Sequence, residues 1–218
     1  RIDHFHNGLD IPGKGFDIYS VGSGKLIYSH SDFSWPGEIP FGGGNTVVVE
    51  HASSLSGYMH LENHYAPKQS LITREEPLGT AGNTGHSGGA HLHFFIYDKI
   101  EDAYLNPLLL LPDSTYPDLM APKILQYGVL LPDRLATVNI DESFTMTADY
   151  PICAQIVDSS GNNERWGVYQ VDLFSKGKAT RSIKFDRIFW KKDLWVIDNG
   201  LAFHDIYVDN FLCLGKGY

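Results

Sequence analysis

With 218 residues, 43% of them hydrophobic, and a formal net charge of −9, the chain has the makings of one large or two modest soluble globular domains. That acidity argues against a nucleic-acid partner, which calls for a basic stripe, and disfavours electrostatic adhesion to anionic polymers. No apolar run approaches the ~18 residues of a membrane span, and no signal-peptide pattern is present.

The first string with chemistry in it is HFHNGLD, residues 4–10, which places His6 and Asp10 four apart. GGGNTVVVEH (Gly42–His51) and GYMHL (Gly57–Leu61) follow, the latter carrying His60. His60 and His64, with Glu62 between them, imitate the helical zinc motif H-E-x-x-H, but that motif needs the glutamate directly after the first histidine, where Leu61 stands. Gly57 also falls where such a helix would already be established. In GNTGHSGGAHLHFF (Gly82–Phe95), His91 and His93 flank Leu92 on a predicted strand. A strand's period of two puts both imidazoles on one face and turns Leu92 and Phe94 to the other, toward a core. The glycines before them suit tight turns beside a cleft or an ordinary hairpin.

Two histidines and one carboxylate suit a catalytic zinc, which keeps a coordination position for water where a structural zinc is closed by four protein ligands. His6, Asp10 and His93 would leave that position open. His60 and His91 are then the best placed for proton transfer. Ten histidines in one chain make accidental H-x-H pairs common, and His4 with His6 is one. His30, His64, His86 and His204 read as structural or solvated, and His4 and His51, though near the proposed site, are read the same way.

Together these strings resemble the lysostaphin-like, or LytM-type, zinc metallopeptidases, whose marks are H-x-x-x-D and a later H-x-H. The strand start GGGNTVVVEH, the tyrosine and His-Leu segment GYMHL and the glycine-rich approach EEPLGTAGNTGHSGGAHLHF (Glu75–Phe94) keep the family's order and spacing. The resemblance covers about half the chain, up to NPLLLLP (Asn106–Pro112). It implies an all-β, antiparallel peptidase domain over residues 1–112, one Zn2+ held by His6, Asp10 and His93, and His60 and His91 as the catalytic pair. Which of the two is the base stays open. The implied reaction is amide hydrolysis in peptide stems or cross-links of bacterial peptidoglycan, by a protein of the periplasm or the secreted cell envelope. A cell-envelope protein is a further candidate partner. Two other readings are a non-catalytic LytM-like scaffold that binds or activates a wall hydrolase, and a wall-binding module with a vestigial metal site. One departure is visible: the family's glutamate after H-x-H-Phe is here Phe95, which is not a ligand position. The family's preceding strand is also expected upstream of Arg1.

Four prolines within Asn106–Lys123 predict a linker, placed at 113–121. Beyond it, alternation in SFTMTAD (Ser143–Asp149) and VYQVDLF (Val168–Phe174), with turn-rich SSGNNERWG between, predicts an immunoglobulin-like β-sandwich accessory domain over 122–218, continuing past GKGY. Phe185, Phe189, Trp190, Trp195 and Phe203 are read as its core rather than as a sugar platform. Cys153 and Cys213 fit either a disulfide or two buried thiols.

Overall fold

The computed structural model describes residues 6–31, 42–65, 71–112, 120–143, 145–146, 148–159, 165–197 and 200–214. The chain divides into two units, His4–Leu110 and Leu111–Tyr218, with the division inside the apolar run of NPLLLLP. Residues 113–119 of the expected linker, His4 and the terminal GKGY lie outside the described residues.

The first unit is antiparallel β almost throughout. Its strands are β1 (Leu9–Pro12), β2 (Asp17–Tyr19), β3 (Gly24–His30), β4 (Asn45–Glu50), β5 (Ser54–His64), β6 (Leu71–Ile72), β7 (Pro77–Ala81), β8 (His91–Asp98) and β9 (Ala103–Leu105). Within it the order β9-β8-β5-β4-β3-β6 forms a sheet, β1 pairs with β8, and β7 joins β2 to β5. A 3-10 turn, Pro107–Leu110, ends the unit, with the Leu108 amide donating to Asn106 Oδ1 at 3.1 Å.

Alternation explains the core. Val47 and Val49 of β4, Tyr58 and Leu61 of β5, and Leu92, Phe94 and Ile96 of β8 meet in one buried cluster with Ile18, Ile72, Leu78 and Ala81. Leu92 and Phe94 thus anchor the strand by the face opposite His91 and His93, as the period of two requires. Phe95 shares the histidines' face and is buried, its ring edge-on to Tyr104 at 5.5 Å. It also fills the space over Gly57, where a Cβ would lie 2.0 Å from its Cε1. An apolar ring therefore packs where the family's carboxylate would stand.

The second unit comprises β10 (Lys123–Leu130), β11 (Leu135–Asn139), β12 (Ile152–Ser159), β13 (Arg165–Trp166), β14 (Gln170–Ser175), β15 (Lys178–Lys184), β16 (Arg187–Lys191), β17 (Leu194–Ile197), α1 (Phe203–Ile206), β18 (Tyr207–Val208) and β19 (Phe211–Leu214). One sheet runs β11-β10-β12-β19-β18, with β13 on β12, while β14–β15 and β16–β17 are hairpins. The sandwich expectation is not confirmed. Cys153 and Cys213 form a disulfide between directly paired residues of β12 and β19, neighbours in one sheet, whereas an immunoglobulin bridge joins two sheets. VYQVDLF forms β14 as expected, but the described residues of SFTMTAD form no strand. β11 and β12, the strands before and after that segment, both pair with β10. The aromatic group also divides. Phe185 and Phe203 pack with Tyr207 in the core, whereas Trp190 is half-exposed and lies edge-on to Trp195 at 4.7 Å.

The cysteines are 60 positions apart, and closing a loop of that length in the unfolded chain is worth about 4 kcal/mol by chain-entropy reasoning. Reduction is expected to lower the thermal midpoint of this unit by roughly 15 °C or more in calorimetry with and without reductant. Identical traces would contradict a formed bridge.

Candidate metal centre

β1 lies antiparallel to β8 with Asp10 directly opposite His93 and Pro12 opposite His91. Cross-strand partners project from the same face, so the register brings a carboxylate to the histidine pair. His6 arrives from the segment just before β1. Its approach depends on Gly8, where a Cβ would lie 2.5 Å from the Phe94 carbonyl oxygen and 2.7 Å from His93 Nε2.

Three donor atoms converge: His6 Nε2 to Asp10 Oδ1 is 2.9 Å, His93 Nδ1 to Asp10 Oδ1 is 3.0 Å, and His93 Nδ1 to His6 Nε2 is 3.1 Å. Among the described residues this is the one group of three such side chains close enough to share an ion. The His93 side chain is 9% exposed, but Asp10 and His6 are 45% and 53% exposed, so the set is backed by protein on one side and open on the other. Burial pushes the Asp10 carboxyl up, yet its contacts with His6 and His93 and the charges of His6 and His91 outweigh this and hold it well below the usual carboxylate range. It is ionised at any working pH.

Zinc fits this donor set on chemistry and size. Imidazole nitrogen and carboxylate oxygen are its ordinary ligands, and bonds of 2.0–2.1 Å in a tetrahedron separate neighbouring donors by about 3.3 Å, close to the spacings here.

His60 and His91 stand beside the three, their rings 4.7 Å apart, with His60 6.1 Å from His93. His60 owes its place to a bulge: between the pairs Asn45–Leu61 and Val47–Tyr58, β5 carries one residue more than β4. Bulges re-aim side chains, and this one puts His60 at φ 62°, a left-handed backbone that costs a non-glycine residue roughly 1–3 kcal/mol. Surrounding bonds hold it there. The His60 amide donates to Gly43 O at 2.7 Å, and Asn45 Nδ2 donates to the carbonyls of Leu61 and Glu62 at 3.0 and 3.1 Å. Thr84 Oγ1 donates to Leu61 O at 2.8 Å.

His60 Nδ1 faces Thr84 O at 2.8 Å and His91 Nδ1 faces Gly89 O at 2.6 Å. A carbonyl oxygen only accepts, so each Nδ1 carries a hydrogen, and each Nε2 is the nitrogen left for chemistry. For His91 that nitrogen lies 3.4 Å from Asp10 Oδ1. Burial pushes the His60 pKa down, against the lift from Thr84 O, and the nearby His91 and His93 lower it further. His60 is therefore neutral near pH 7.

All five residues singled out in the sequence thus meet at one place. His51 is committed elsewhere, with Nε2 2.8 Å from Ser56 Oγ and Nδ1 3.0 Å from Ser23 O. The sequence reading missed Thr84 and Gly89, which act through backbone carbonyls and carry no residue-type signal. It also missed Asn45, whose signal was the Gly-Asn start of β4, and Asn7, whose Oδ1 lies 3.2 Å from His93 Nε2.

An antiparallel β unit thus presents a His-Asp-His set that could hold a metal ion, with two more histidines beside it. The family model described as peptidase family M23 matches residues 4–107, which fall within the first unit. Curated relatives include the peptidoglycan DD-endopeptidases ShyB and ShyA of Vibrio cholerae serotype O1. They are 36% and 31% identical over 91 residues, 41% of this chain in each case. The chain spans about a fifth of their length, 20% and 19%. Among solved structures, a zinc-containing peptidase from Vibrio cholerae is 33% identical over 43% of this chain and 27% of that one, with a TM-score of 0.37.

Proposed function

We propose that the first unit is a zinc-dependent endopeptidase that hydrolyses peptide stems or cross-links of bacterial peptidoglycan, working in the periplasm or the secreted cell envelope. The second unit is read as its accessory domain. The observation that carries the reading is the convergence of His6 Nε2, Asp10 Oδ1 and His93 Nδ1 on one solvent-facing point beside two imidazoles whose Nδ1 atoms each meet a backbone carbonyl. The substrate class rests on the two endopeptidase relatives.

In this reading His6, Asp10 and His93 hold the ion, and a bound zinc supplies Lewis acidity and a water acidified to a pKa of roughly 7. His60 and His91 act through Nε2. One takes the proton of the attacking water on its Nε2 and returns it to the leaving amine, and the other, doubly protonated, donates from Nε2–H to the oxygen on which charge develops. Burial keeps His60 neutral and so able to accept.

Mass analysis of the products from purified peptidoglycan, with and without a chelator, tests the proposal. New peptide ends that vanish with chelator and return with zinc are expected. An unaltered sacculus, or cleavage indifferent to chelator, would overturn it.

Acidity adds a second expectation. Protonating either His6 or His93 removes a donor lone pair, whereas Asp10 stays ionised, so zinc affinity falls as pH drops and the histidines set the loss. Zinc content after dialysis across a pH series checks this, and occupancy unchanged well into the acid range would contradict histidine ligation.

A further inference from the structure

We propose that Lys14 is a specificity-determining residue that receives a free carboxylate of an acidic peptide substrate, with Glu62 holding its ammonium in place. The inference deepens the peptidoglycan endopeptidase reading and rests on it. Lys14 Nζ lies 3.3 Å from Glu62 Oε2. Strand parity places this ion pair on the face of His91. Ala81 is buried in the core cluster, so Gly82 presents the opposite face, and Gly82 is bridged directly to His91. A Cβ on Gly82 would lie 2.8 Å from Glu62 Cβ, so Glu62 stands over that same face with only a glycine between it and His91.

The tip that carries Lys14 is pinned on both sides. The Gly13 amide donates to Ala90 O at 3.1 Å, just before His91, and the Gly15 amide donates to Ala81 O at 2.8 Å, just before Gly82. Gly13 and Gly15 take φ of 133° and 78°, backbone that suits glycine, so the Gly-Lys-Gly tip crosses beside the Gly82–His91 bridge and the lysine is its one side chain. An ammonium has three donors, and Glu62 takes one of them. At 58% exposure the Lys14 side chain leaves room for an incoming anion. Glu62 also fixes the end of a long, flexible side chain, which lowers the ordering cost of that second contact. A chain of net charge −9 repels an acidic peptide at long range, and a cation beside the histidines reverses the sign where the peptide must settle.

The test digests purified peptidoglycan in two forms, native and with its carboxylates converted to carboxamides by carbodiimide and ammonia. The full chain is used as wild type, Lys14→Met and Lys14→Arg, the last retaining the charge. The appearance of new amino groups gives the rate, and zinc content is measured on each protein. Wild type and Lys14→Arg are expected to cut the native form about fivefold faster than the amidated form, the upper worth of a solvent-exposed ion pair. Lys14→Met should cut the two at similar rates with its zinc content unchanged, whereas a purely structural loss would lower both rates together and keep the preference. A preference that survives Lys14→Met, or that is lost in Lys14→Arg, would overturn the role. Equal rates on the two forms in wild type remove the subsite alone, while cleavage of neither form sinks the endopeptidase reading and the subsite with it.

Discussion

Replacing His93 by alanine is expected to strip the zinc and lower peptide hydrolysis by roughly a thousandfold or more. A metal's charge stabilisation in the transition state is worth several kcal/mol, and each 1.36 kcal/mol is tenfold in rate. His93 is the most telling of the three ligand positions because its side chain is 9% exposed and its Nδ1 lies within 3.1 Å of both other donors, so no solvent molecule takes its place without a rearrangement. His6→Ala and Asp10→Ala should follow in the same direction. Metal analysis of the purified variants beside a muropeptide digest checks all three, and near-native melting of each variant separates loss of the site from loss of the fold. A His93→Ala protein with full zinc and full hydrolysis would remove the ligand assignment.

His60→Ala and His91→Ala should behave differently: metal stays, and hydrolysis falls by about 10²–10⁴-fold, the usual worth of a positioned acid or base. The distinction comes from geometry. Both imidazoles have Nδ1 bound to a backbone carbonyl, and neither belongs to the three-donor cluster. His60→Ala has a second expected consequence, because alanine is no better suited than histidine to φ 62° and loses the bond to Thr84 O. His60→Gly should therefore melt higher than His60→Ala while remaining equally inactive. Comparing the pH profiles of the two single histidine variants then shows which ring is the base: loss of the limb set by deprotonation of an essential group marks it. Full activity in both alanine variants would discard the proton-transfer roles.

The sequence was most transparent where the period of two governs. His91 and His93 against Leu92 and Phe94 is a pattern that a strand can satisfy in one way, and β8 carries it with the apolar members in the core. His6 and Asp10 were legible as a spacing, yet their meeting with His93 depends on the Asp10–His93 register, which belongs to the pairing of β1 with β8 and to neither strand alone. His60 marks the limit more sharply. Its left-handed backbone sits in the middle of a strand, where propensity argues against it, and is held by carbonyls and amides from Gly43, Asn45 and Thr84. Such support is written in tertiary contacts rather than residue types.

In the second unit, alternation identified β14 but was misleading over Ser143–Asp149, because a pattern of seven residues says nothing of whether a neighbouring strand is within reach. The two cysteines were equally ambiguous. Only the pairing of β12 with β19 puts Cys153 opposite Cys213. Trp190 and Trp195 looked like core by composition, and it is the hairpin's geometry that leaves Trp190 half-exposed.

Diffraction from zinc-soaked crystals, with anomalous data on both sides of the zinc absorption edge, puts the account at most direct risk. One peak within bonding distance of His6 Nε2, Asp10 Oδ1 and His93 Nδ1, with solvent completing its coordination, is the predicted result. A peak elsewhere, no peak, or a fourth protein side chain closing the coordination sphere would contradict it.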